Sequence, residues 1–66
     1  MEAYIKVNNS LFYQIKEKDV FLLNTKKKYF RRAKALFVAN IEDVSVITKE
    51  EFINILKKND LYDKFN

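Results

Sequence analysis

The sequence predicts a small α+β domain: an antiparallel sheet of three to four strands, covered by a C-terminal helix and by a second, basic amphipathic helix. Three observations predict it. Residues 3–23 hold short runs of β-forming side chains separated by polar turns. A Thr-Lys-Glu-Glu start followed by an apolar stripe marks a helix from residue 48 onward. Between them, residues 24–41 space basic and apolar side chains so that a helix would carry them on opposite sides.

The strands come first. Residues 3–8 alternate loosely, with Tyr4 and Lys6 on one side and Ala3, Ile5 and Val7 on the other. Asn8-Asn9-Ser10 is a turn by composition, because Asn tolerates positive φ and its side chain mimics a backbone turn. Leu11, Phe12, Tyr13 and Ile15 then crowd into a second run, so residues 3–16 read as a β-hairpin. After the polar break Glu17-Lys18-Asp19, the apolar run Val20-Phe21-Leu22-Leu23 reads as a third antiparallel strand. It is central because both of its faces are apolar.

Residues 24–41 admit two parses. At 100° per residue, Tyr29, Phe30, Ala33, Leu36, Phe37 and Ile41 fall within an arc of about 140°, as in an amphipathic helix. Lys27, Lys28, Arg31, Arg32 and Lys34 take the other side, and Val38 is the exception. Three alanines favour the helix, and Asn24 or Thr25 can cap it. The lysines at its start oppose the macrodipole. The competing parse is a hairpin over 23–32 that turns at Asn24-Thr25-Lys26, with a further strand over 34–40. Poor alternation counts against it, since Arg31 and Arg32 are adjacent and Leu36-Phe37-Val38 is unbroken. The helix is the preferred expectation.

Residues 44–47 read as a short strand after Glu42-Asp43. Thr48 then opens a capping box: its hydroxyl can accept from the amide of Glu51, and Glu51 can reach back to the amide of Thr48. Phe52, Ile55, Leu56 and Tyr62 supply the apolar stripe. Glu50 and Glu51 precede Lys57 and Lys58 in the order the helix dipole prefers. The helix is expected over 49–59, with an extension to Lys64 as its longer form.

Residues 1–66 read as one domain, with no repeat, linker or low-complexity segment. A chain of 66 residues buries only about 60% of its unfolded surface. With no Cys, stability rests on its Phe, Tyr, Ile, Leu and Val side chains. Homodimerisation is a further way to bury them.

Composition excludes much chemistry. There is no His, Cys, Gly or Pro. Imidazole acid–base catalysis, thiolate nucleophiles, His or Cys metal sites and glycine-rich phosphate loops are therefore absent. The pairs Glu42-Asp43 and Glu50-Glu51 are adjacent in sequence. Neighbours diverge by 100° on a helix and point to opposite faces of a strand, so neither pair makes an acid–base dyad. Ser10 and Ser45 have no base to activate them. The expectation is a non-enzymatic protein without cofactor or metal. No apolar run approaches the ~18 residues of a membrane span, and the N-terminal residues lack a basic, apolar leader, so a cytoplasmic location is expected.

The net charge is +4, with thirteen Lys/Arg against nine Asp/Glu, and the pI is near 9.4. Residues 16–34 hold eight of the basic groups against Glu17 and Asp19, which leaves the rest of the chain at −2. One end of the fold should therefore be positive. Lys26, Lys27, Lys28, Tyr29, Arg31, Arg32 and Lys34 form the candidate site. The lysines can neutralise phosphates, the arginines can add bidentate contacts, and Tyr29 can stack on an unpaired base. The blander reading is the solvated face of a Lys-rich helix. The expected partner is nucleic acid, DNA or RNA; the alternative is an acidic protein docked on the same patch. Tyr4, Phe12, Tyr13 and Phe21 are additional stacking positions if their sheet face is exposed.

Overall fold

A computed structural model describes residues 2–34 and 44–65. The described elements are β1 (Glu2–Lys6), β2 (Leu11–Lys16), β3 (Asp19–Asn24), β4 (Tyr29–Ala33), β5 (Ser45–Ile47) and α1 (Lys49–Lys58), followed by a 3-10 turn over Tyr62–Lys64. The five strands make one sheet in the order β4-β3-β2-β1-β5, with every neighbouring pair antiparallel. The α+β class and the covering C-terminal helix agree with the sequence. Among the described residues the sheet has five strands, where three to four were expected.

The second helix is corrected over its described part. Residues 25–28 form a turn and Tyr29–Ala33 pair with β3 in the register Leu23↔Phe30 and Leu22↔Arg31. A hairpin is found there, as in the competing parse, but with its turn at 25–28 rather than at Asn24-Thr25-Lys26. The remainder of the expected helix, residues 35–41, lies outside the described residues. The physical reason is burial. On a strand, Phe30 projects to the same side as Leu23, Phe12 and Tyr4, and all four are buried together. The apolar neighbour that β3 requires on its free side outweighs the 3.6-residue spacing of this segment.

Side chains alternate between the two faces of the sheet. Tyr4, Phe12, Leu23 and Phe30 face α1 and meet Phe52, Leu56 and Leu61 in one core. Phe21, Ile47, Ile55 and Phe65 pack around it. Aromatic rings dominate the contacts: Phe52 lies 5.0 Å from Tyr4 and 5.7 Å from Phe30, centroid to centroid. Gln14 also lies on this face and is fully buried; its Nε2 donates to the Tyr4 hydroxyl at 3.3 Å, while its Oε1 has no partner among the described residues. The other face carries Ile5, Tyr13, Ile15, Val20 and Leu22, with Ile5 and Tyr13 buried.

The ends of α1 follow local rules. The Thr48 hydroxyl accepts from the Glu51 amide at 3.0 Å and donates to the Glu51 carboxylate at 3.3 Å. The first bond is the expected N-cap, whereas the Glu51 carboxylate takes the Thr48 hydroxyl rather than the Thr48 amide that a full capping box would use. At the far end, the Leu61 amide bonds to the Leu56 carbonyl at 2.8 Å and the Asp60 amide to that of Lys57 at 3.2 Å. With Asp60 at φ 64°, this is a Schellman ending, closed by the apolar pair Leu56 and Leu61. The chain therefore leaves the helix before Tyr62, and Leu61 takes the buried place that helical spacing assigned to Tyr62. Glu17 and Lys28 also adopt positive φ, at 42° and 61°. In a chain without glycine, these turns use non-glycine residues in the left-handed region, at a steric cost.

Candidate functional site

Two turns meet at one end of the sheet. In the β1–β2 turn, the Asn8 Oδ1 accepts from the amides of Ser10 and Leu11 at 2.7 and 2.9 Å. In the β3–β4 turn, the Asn24 Oδ1 accepts from the Lys27 amide at 2.8 Å. The turns are tied together by the Thr25 amide, which donates to the Ser10 carbonyl at 2.9 Å. Side-chain acceptors thus do the fixing in place of glycine or proline. Between the turns lies a shallow depression of about 440 Å³, lined by Asn8, Asn9, Ser10, Leu11, Asn24, Lys26 and Lys27.

Lys26, Lys27 and Lys28 stand exposed at the tip of this end. Among the described residues, Lys26 and Lys27 make no ion pair. Lys28 reaches α1, its Nζ donating to the Asn59 Oδ1 at 3.1 Å. Asn59 is itself anchored, its Nδ2 donating to the Ile55 carbonyl at 2.8 Å. The end of α1, with Lys57 and Lys58 in its last turn, therefore sits beside the β3–β4 turn.

The other expected site residues are dispersed. Tyr29 and Arg31 are two apart on β4 and share the face away from α1, with the Arg31 guanidinium 4.4 Å over the Tyr29 ring. Arg32 projects to the opposite face and forms an ion pair with Asp19 on β3. Lys34 lies past the end of β4 remote from the lysine tip, lining a depression of about 360 Å³ with Lys18, Asp19, Val20, Arg32 and Ala33. The seven residues therefore do not form one face. The three lysines cluster, Tyr29 and Arg31 flank them on one side of the hairpin, and Arg32 and Lys34 belong elsewhere. Lys57, Lys58 and Asn59 were missed as neighbours of the lysine tip. Only the antiparallel return of α1 brings them there, and no local pattern signals it.

Of the other aromatic candidates, Tyr4 and Phe12 are buried beneath α1 and Tyr13 is buried on the other face, so none of the three offers a ring to a base. Tyr4 serves a polar line instead. Its hydroxyl donates to the Glu2 carboxylate at 2.5 Å. That hydrogen bond, together with Lys49 at 3.9 Å and other nearby cations, holds the Glu2 carboxyl below its ordinary value. Burial, and then the hydrogen bond to Glu2, pushes the Tyr4 phenol up. Among the described residues, no three Asp, Glu, His or Cys side chains converge on a metal position, and no helix is long and apolar enough to cross a membrane.

No family model, curated protein or solved structure matches the chain.

Proposed function

We propose that the protein is a small, non-enzymatic accessory factor that binds nucleic acid by neutralising phosphates with the lysine tip of the β3–β4 hairpin. One observation carries the reading. Lys26, Lys27 and Lys28 are exposed side by side on a turn fixed by Asn24 and Ser10, while Arg32 is engaged with Asp19. The backbone of the turn is fixed before binding, so only the lysine side chains have to settle on the phosphates. Phosphate contact of this kind supplies affinity and little sequence specificity.

The test is the salt dependence of binding to generic DNA and RNA. On duplex DNA, each lost phosphate contact should flatten the log–log slope by about 0.9. Replacing Lys26, Lys27 and Lys28 with Ala should flatten it markedly, whereas Arg32→Ala should change it little. No binding of the unaltered protein at low salt would end the proposal.

A second reading has its own support. Among the described residues, strands β4 and β5 are the outermost of the sheet, and Val46 on β5 is 83% exposed. An edge strand is a template for strand addition, by an acidic protein or by a second copy of this chain. A salt-sensitive complex with an acidic protein, formed without nucleic acid, would favour it.

A further inference from the structure

Tyr62 is the second large apolar side chain left in solvent among the described residues, at 45% exposure. It is not an isolated surface ring. Its plane lies 16° from that of Phe65, with the centroids 6.0 Å apart, and Phe65 in turn stacks on Phe30 at 6.3 Å and 26°. Phe30 is buried in the core. Tyr62 is thus the outer member of a three-ring stack rooted in the sheet, and its orientation is set before any ligand arrives. Lys57 holds its ammonium 5.0 Å from the centre of the same ring.

The position matters as much as the ring. Tyr62 lies three residues beyond Asn59, which accepts from Lys28 of the hairpin tip. Residues 26–28 and 57–64 together carry six Lys against Asp60 and Asp63, a net +4 that equals the charge of the whole chain. The excess positive charge and the exposed aromatic therefore belong to one region built from two elements. A duplex presents phosphates but keeps its base faces covered. A single strand presents both phosphates and unpaired base faces, and an aromatic ring flanked by cations answers to both.

Resting on the nucleic-acid reading above, we infer that Tyr62 is a stacking position for an unpaired base, which makes the preferred partner a single-stranded nucleic acid. The Lys57 ammonium moves aside to a phosphate as the base arrives over the ring. Phe65 backs the ring from within, so stacking requires no rearrangement of the core.

The test compares an oligothymidylate with a duplex of equal length, using the full chain. Tyr62→Ala should weaken single-strand binding about tenfold, the scale of one lost base–aromatic stack, and leave duplex binding unchanged. Tyr62→Phe should bind like the unaltered protein. In the unaltered protein, the Tyr62 ring protons should shift upfield on adding oligothymidylate and not on adding duplex. This readout stands even if the alanine variant folds poorly. If oligothymidylate binds without moving those protons and Tyr62→Ala binds it equally well, the inference is overturned while the lysine-tip reading survives. If the unaltered protein binds neither nucleic acid at low salt, the reading beneath it fails and the inference with it.

Discussion

Helix α1 and the β3–β4 hairpin touch at Asn59 and Lys28, and they are held in different ways. The helix is fixed at both ends by bonds that span a few residues: Thr48 with Glu51, and Leu61 with Leu56. The hairpin owes its turn to Asn24, but its second strand exists because Phe30 meets Leu23 beside it and Phe52 above it. Both segments carry lysines and apolar side chains at helical spacing. Only α1 also has acids in its first turn and bases in its last. Spacing without charge order is a weak instruction, and burial against a neighbouring strand overrides it.

The largest expected effect tests the non-local half of this contrast. Phe30→Ala should cost about 3–5 kcal/mol, the usual range for deleting a buried aromatic. A chain this short has total stability of about 3–10 kcal/mol, so much of the population should unfold in thermal or denaturant melts. If the fold survived with Lys28–Ala33 chemical shifts unchanged, the hairpin would be locally determined after all, and the contrast would break.

A smaller effect tests the local half. Thr48→Ala should remove the N-cap at a cost of about 1 kcal/mol. The melting midpoint should fall by about 4–8 °C. An unchanged midpoint would mean that packing of Phe52 and Leu56, rather than the cap, fixes where α1 begins.

The smallest effect has the opposite sign. Asp60 holds the left-handed position that ends α1, and a side chain there is strained. Asp60→Gly should raise stability by about 0.5 kcal/mol, the steric relief less the greater freedom of the unfolded chain. A rise of about 2–4 °C in melting midpoint checks it. A fall would show that Asp60 makes a favourable interaction outweighing its strain.

Helix α1 is legible from neighbouring residues to within one position at its C-terminal end, because the Thr48 cap, the Glu50 and Glu51 start and the Lys57 and Lys58 finish act within single turns. The first hairpin and β3 are legible for the same reason: the turn chemistry of Asn8 and the β-forming runs beside it are short-range. Tertiary structure alone decided that residues 29–33 are a strand, that Arg31 and Arg32 part to opposite faces, and that Leu61 rather than Tyr62 is buried. The candidate site divides in the same way. Its lysine tip was legible as a run of charge, whereas the approach of Asn59, Lys57 and Tyr62 to that tip depends on α1 running back across the sheet. Charge runs and caps are properties of neighbouring residues. Which face a side chain takes, and which distant segment lies beside it, is settled only when β4 and α1 compete to bury the same core.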